Sequence, residues 1–196
     1  EITCRIPLII RWPGRVKQGS VAKGIYGNID LCPTFAEMLG VDSHPKWDGM
    51  SFAGTLAGGT DSGREDLVIS QNCHVCQRSV RWDDWLYIRT YHDGYHLFPQ
   101  EQLFNVKTDP HEQTDLSASR PDLVNNAARR LMNWHDDMMA TMPDGRIVDP
   151  MRVVLGEGGP FHARGELKEY VKRLEKTGRG HAIEELKRRH PREFTG

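Results

Sequence analysis

From Arg5 to Trp12 the chain reads R-I-P-L-I-I-R-W, an apolar run without alternation, the pattern of a strand buried on both faces. Pro13-Gly14 ends it. Apolar residues then fall at Ile25, Ile29, Phe35, Met38 and Leu39, which predicts a helix beginning near Leu31–Pro33 and stopping at Gly40, with Asp30 as its N-cap and Pro33 in its first turn. Residues 41–65 carry one proline and five glycines and read as loop. A change of pattern follows. Leu67–Ser70, Ser79–Arg81, Trp85–Tyr91 and Gln102–Val106 predict short strands, with His92-Asp93-Gly94 as a turn, and their succession favours an antiparallel sheet. Pro121–Met142 carries a broad apolar stripe (Leu123, Val124, Ala127, Leu131, Trp134, Met138) and predicts a long helix, with Ser119 as a plausible cap. Pro143–Gly165 reads as a Gly/Pro-rich linker, and Glu166–Phe194 as two short helices parted by Thr177-Gly178-Arg179-Gly180. The expected division is therefore 1–65, 66–142 and 143–196.

The longest apolar stretch is a handful of residues, far short of the ~20 that a membrane-spanning helix needs. Across 196 residues the net charge is −1, so no global charge argument favours nucleic acid or an anionic membrane. The charge is unevenly placed. Arg164–Gly196 holds ten Lys/Arg and six Glu, a net of +4 on a body of −5. Such a tail reads as a solvated helix face or as a segment docked onto its own body. Four cysteines are too few for a disulfide-built scaffold. The chain opens at Glu1 rather than at a methionine and reads as a trimmed or partial product.

Local chemistry is sparse. Cys73-His74-Val75-Cys76 could give zinc two thiolates and an imidazole, but a closed site needs a fourth ligand, and Cys4 and Cys32 stand far away; two small, partly buried thiols at a strand end are the better reading. Asp109-Pro110-His111-Glu112 is turn chemistry. The glycines of 156–159 lack the spacing of a phosphate cradle. No nucleophile, base and anion hole assemble from these residues, so no catalytic residue and no metal ligand is assigned.

Four stretches, in order, resemble the C-terminal portion of the formylglycine-dependent sulfatases of the alkaline phosphatase superfamily. Glu1–Ile10 is similar to the family's E-G-G-x-R-V-P-L-I-I, with Ile2-Thr3 in place of the glycines. Asn28–Phe35 followed by Leu39-Gly40 resembles its D-l-x-P-T helix. Trp47–Phe52 followed by Arg64 resembles its D-G-x-S segment. Arg78–Arg81, Trp85–Ile88 and Leu103–Glu112 resemble its R-a-V-R…L-Y-d-l-x-x-D-P-x-E run. The family's nucleophile, a cysteine in C-x-P-S-R or C-x-A-x-R oxidised to formylglycine, has no counterpart at Cys4, Cys32, Cys73 or Cys76, and its aspartate metal ligands are absent too.

The resemblance implies an α/β fold: residues 1–65 as the end of a large alkaline-phosphatase-like α/β domain, with Arg5–Trp12 as a strand of its sheet; residues 66–142 as a small α+β subdomain, an antiparallel sheet packed by the long helix; and 143–196 as linker and basic helical tail. It implies sulfate-ester hydrolysis in the full-length parent, with formylglycine and Ca²⁺ or Mg²⁺ supplied outside this chain, which by itself is expected to be inactive. Since the small subdomain rims the pocket in such folds, His74, Gln77 and Arg78 are the expected substrate contacts; an arginine fork suits a sulfate. The expected partner of residues 5–12 is the missing N-terminal half or a second copy. Phosphonate and phosphodiester hydrolases of the same superfamily, a non-catalytic assembly module, and a zinc-stabilised domain built on Cys73 and Cys76 are the alternative readings.

Overall fold

The computed structural model describes residues 4–142 and 148–194; Glu1–Thr3, which open the first motif, residues 143–147 of the predicted linker, and residues 195–196 lie outside the described residues. Six α-helices and one sheet are described: α1 (Leu31–Leu39), α2 (Ala53–Leu56), strands β1 (Asp66–Gln71), β2 (Cys76–Trp82), β3 (Trp85–His92) and β4 (Glu101–Asn105), then α3 (Pro121–Ala140), α4 (Pro150–Gly156), α5 (Leu167–Lys176) and α6 (Ile183–Arg189).

The sheet is an antiparallel meander in the order β1-β2-β3-β4. Its register explains the alternation in the sequence. Val68, Val80, Tyr87 and Leu103 stand opposite one another across the four strands, and this row packs on α3. The neighbouring row runs Leu67, Arg81, Leu86, Phe104 and faces the other way, where Leu86 and Phe104 are buried with Val106. From α3, Val124, Ala127 and Leu131, at i, i+3 and i+7, meet the first row; Ala127 is fully buried, and its small side chain lets the helix lie close. Each large apolar side chain so buried contributes about 1.5–3 kcal/mol.

The helix α1 forms where the spacing predicts, ending at Gly40 in the left-handed conformation. Asp30 precedes it, but its carboxylate does not cap the helix. It is 1% exposed and accepts from the amides of Gly27 (2.8 Å) and Met50 (2.7 Å) and from Nε of Arg64 (2.9 Å), whose Nη2 also reaches it. Arg64 donates further to the Asp48 carbonyl (3.0 Å), and Thr34 Oγ1 bonds the Asp30 carbonyl (2.6 Å) while accepting from the Phe52 amide (3.1 Å). Gly49 passes so close to the Ile29 carbonyl that a Cβ there would lie 2.0 Å from its oxygen. The spaced residues Asp30, Thr34, Gly49 and Arg64 are thus one polar knot tying the 27–30 turn to the 48–52 loop. Burial pushes the Asp30 carboxyl up, but the Arg64 and amide hydrogen bonds outweigh it and hold its pKa below the ordinary value.

Three expectations need correction. Residues 5–12 are not a strand: no described strand pairs with them, and Ile6, Leu8 and Ile9 are 69%, 51% and 91% exposed. An apolar run becomes a strand only where neighbours accept its hydrogen bonds, and the four-stranded sheet is built without it. The long helix stops at Ala140, and Ser119 is not its cap; Arg120 precedes it, and Ser119 Oγ bonds the Leu116 carbonyl instead. The predicted linker holds a helix, α4, whose Asp149 accepts from the Met151 amide (2.9 Å) with Pro150 in its first turn.

The basic tail docks on the body. Leu167, Val171 and Leu174 of α5 and Ile183 and Leu186 of α6 bury their stripe with Ala163, and Tyr95 from the β3–β4 loop completes this second core.

Candidate functional site

The β3–β4 loop is the hub. Gly94, Tyr95 and Leu97 all take positive φ (58°, 69° and 59°), a left-handed path that costs the two non-glycine residues energy. Gly94 is required there, because a Cβ would lie 2.2 Å from the His74 carbonyl of the β1–β2 loop. The path buries Asp93, 4% exposed, which accepts from the Tyr95 amide (2.9 Å) and pairs with His190 Nε2 (2.8 Å) on Oδ1 and with Arg189 Nη1 (3.1 Å) on Oδ2. Burial raises the Asp93 carboxyl, but the His190 hydrogen bond, the Tyr95 amide and the His190 and Arg189 interactions carry its pKa below the ordinary range. The ring of His92, 4.7 Å from that of His190, is shifted down by burial and by that imidazole. The hydroxyl of Tyr95 lies between the Ala163 carbonyl and Glu193, and burial with the Glu193 hydrogen bond pushes its pKa up.

Beside this hub lies an open cavity of about 450 Å³, lined by Tyr95 and His96 of the β3–β4 loop and by His162, Arg164, Tyr170 and Arg173 of the tail. His74 borders it, its ring 5.6 Å from that of His162. A second cavity of about 330 Å³ lies between β2, β3 and α3, lined by Arg78, Arg89, Tyr91, Met132, His135 and Asp149.

The three expected contact residues do not converge. His74 is exposed in the β1–β2 loop. Gln77 and Arg78 belong to β2 rather than to that loop, and as neighbours in a strand they face opposite ways. Gln77 Nε2 donates to Thr90 Oγ1 (3.0 Å). Arg78, 7% exposed, forks onto Asp149 (Nη1–Oδ2 2.8 Å, Nη2–Oδ1 2.5 Å) and lies 5.1 Å over the Trp134 ring. It joins the sheet to α3 and to the start of α4. Asp93, Tyr95, Arg189 and His190 carry no motif. Their signal is the density of H-D-G-Y-H at 92–96 and R-R-H-P at 188–191, which only the fold unites.

Among the described residues, the zinc set read from Cys73 and Cys76 does not assemble. Cys73 is exposed, Cys76 is buried with its thiol pushed up by burial, and both are free. Among the described residues, the group whose donors come together is His92, Asp93 and His190, within 4.8 Å of one another. Calcium takes six to eight oxygens, whereas this group offers one carboxylate already engaged by Arg189, His190 and an amide, so the residues present do not fit Ca²⁺ or Mg²⁺.

A family model described as N-sulphoglucosamine sulphohydrolase, C-terminal, matches residues 1–135. The chain belongs to this sulfatase family. Among relatives of this sulfatase C-terminal region, N-acetylglucosamine-6-sulfatase of Capra hircus is 25% identical over 184 residues, covering 76% of this chain and 33% of that protein. N-acetylglucosamine-6-O-sulfatase of Bacteroides thetaiotaomicron is 29% identical over 121 residues, 57% of this chain and 21% of that protein. The sulfatase chain therefore spans at most a third of these relatives' length. In fold it is similar to the solved structure of BT4656 in complex with its substrate D-glucosamine-2-N,6-O-disulfate, with a TM-score of 0.61 and 22% identity over 72% of this chain and 30% of that one. This is the α/β sulfatase fold of the alkaline phosphatase superfamily, represented by its C-terminal region, helices around a small antiparallel sheet.

Proposed function

We propose that the full-length protein containing this chain hydrolyses sulfate esters of an amino sugar, and that this region builds one wall of its substrate pocket. The family match over residues 1–135 carries the reading, supported by relatives named for 6-sulfated N-acetylglucosamine. Formylglycine and a divalent cation belong to the part of the parent outside this chain. The division into 1–65 as the end of the large domain, 66–142 as the small subdomain and 143–196 as the tail goes with this proposal, as does cover for residues 5–12 from the rest of the large domain.

Within the region, His74 touches substrate from the β1–β2 loop, and Gln77 and Arg78 serve from β2. Arg78 is already forked onto Asp149, so it acts by holding that wall in place, a positioning residue whose charge reaches substrate only if Asp149 yields. The test is the full-length protein assayed on glucosamine 6-sulfate and on a phosphonate monoester. Faster turnover of the sulfate ester is expected, with kcat/KM lowered about tenfold or more by His74→Ala. Preference for the phosphonate ester would reassign the transferred group, and hydrolysis of neither would leave the region an assembly module.

A further inference from the structure

The residues beyond 135 lie outside the family match, yet they supply most of the lining of the 450 Å³ cavity, Phe161 and Arg173 among it. Phe161 is 84% exposed on the short 3-10 turn Phe161–Ala163. A large aromatic held so far out of the core, at the mouth of a cavity, is an apolar platform without cover. Arg164 is fixed beside it: its Nε donates to the Gly159 carbonyl (2.8 Å), its Nη1 pairs with Glu157 (2.7 Å), and its guanidinium lies 5.8 Å from the Phe161 ring centroid. Arg173 reaches the same space from α5, exposed, and no carboxylate pairs with its guanidinium among the described residues. Two imidazoles, His96 and His162, and one carboxylate, Glu166, complete the polar lining.

That combination selects its ligand. The flat ring takes the C–H face of a saccharide, the Arg173 guanidinium takes an acidic substituent in the bidentate manner suited to sulfate or carboxylate while the engaged Arg164 adds positive charge beside it, and Glu166 and the Tyr170 hydroxyl suit sugar hydroxyls. The volume lies in the range of small-molecule sites. We propose that this cavity is a binding site for a sugar ring carrying a sulfate or carboxylate group, built by the tail and peculiar to chains that possess it. The choice of ligand rests on the sulfated-sugar reading above; the site itself rests on the side chains.

The test is calorimetric titration of the chain with glucosamine 6-sulfate, glucuronate and unsubstituted glucosamine. One or both acidic sugars bind at least about tenfold more tightly than glucosamine, the sulfate arm leading if the site holds the ester group and the carboxylate arm if it holds a neighbouring uronate. Arg173→Ala and Phe161→Ala each weaken that binding about tenfold, the size of a lost charge-assisted contact. Both side chains are exposed, so an unchanged circular dichroism spectrum and Tm show that each variant folds. Equal binding of the neutral sugar, no binding of any of the three, or variants that bind as the parent chain does would each overturn the proposal. Sulfate-ester hydrolysis by the full-length protein without sugar binding here removes the cavity site alone; sugar binding without such hydrolysis removes the functional reading alone.

Discussion

The stretch before residue 66 and the stretch after it treat apolar side chains in opposite ways. Of the 22 buried apolar residues among those described, two, Ala36 and Phe52, precede residue 66; of the sixteen large apolar side chains left exposed, ten do. The early stretch is shaped by hydrogen bonds, with Asp30 and Arg64 gathering turn and loop, while Ile6, Ile9, Val21 and Leu39 stay out in the open. The later stretch has three apolar interiors, one under α3, one inside the tail and a small one of Leu86, Phe104 and Val106 on the other face of the sheet. Polar knots can fix a backbone path without supplying a core, and the apolar face they leave is the kind of surface that another protein surface covers.

Substitutions can break or sharpen this contrast. The largest effect is expected from Arg78→Ala, which takes the buried guanidinium fork from the half-buried Asp149 and leaves that carboxylate the Met151 amide and His135; about 3 kcal/mol of stability is lost, read from the shift in urea midpoint. Substituting Asp149→Ala as well recovers part of that loss, and a double variant no better than the single one would show that the pair is not the source. Truncation of leucine-sized side chains in the two stretches comes next. Leu131→Ala, in the core under α3, costs about 2–5 kcal/mol, whereas Ile9→Ala, 91% exposed, stays within about 0.5 kcal/mol. Similar losses at both sites would erase the distinction drawn above.

A smaller effect attaches to His92. Its pKa is lowered in the folded chain, so the folded state prefers the neutral ring. Its contribution is whole above the ordinary histidine value of about 6.5 and is lost as pH falls through the lower folded value. Mild acid should therefore loosen the tail, seen as faster amide exchange in α5 and α6, and His92→Gln should flatten that pH dependence. Asp93, depressed as well, adds stability that persists above the ordinary carboxylate range and disappears only in stronger acid. Least of all, Ile9→Glu should reduce concentration-dependent light scattering of the chain while leaving its unfolding midpoint where it was; an unchanged scattering profile would show that residues 5–12 do not mediate self-association.

Legibility in the sequence followed how local each cause was. Strand β2 announces itself because Val80 and Trp82 alternate with polar neighbours, β3 and β4 because short apolar and aromatic runs stand between turns, and α3 because its stripe repeats over five turns. Residues 5–12 state a need for cover on both faces but not what provides it, so the same run reads as strand and stands as an exposed segment. The start signal of α4, Asp149-Pro150, is present but sits amid glycines and prolines that suggest a loop. The resemblance supplied the family, and the fold explained why its motif residues are spaced as they are. The hub around Asp93 was hidden for another reason. Its partner His190 is 97 residues away, and no pattern of neighbours encodes a contact that only the folded tail creates.

The place of Tyr95 has a consequence for the order of events during synthesis. Its ring is buried in the tail's interior with Ala163, Leu167 and Leu186, though it stands on the β3–β4 loop of the sheet. Until β3 and β4 have paired, the two small helices lack the side chain that closes their core, and each is too short to persist alone. Chains are made from the N-terminus at about 5–20 residues per second, so the meander leaves the ribosome several seconds before Phe194 does. The tail thus meets a ready-made template, and a ribosome stalled near residue 160 would display the sheet with Tyr95 still bare to the solvent.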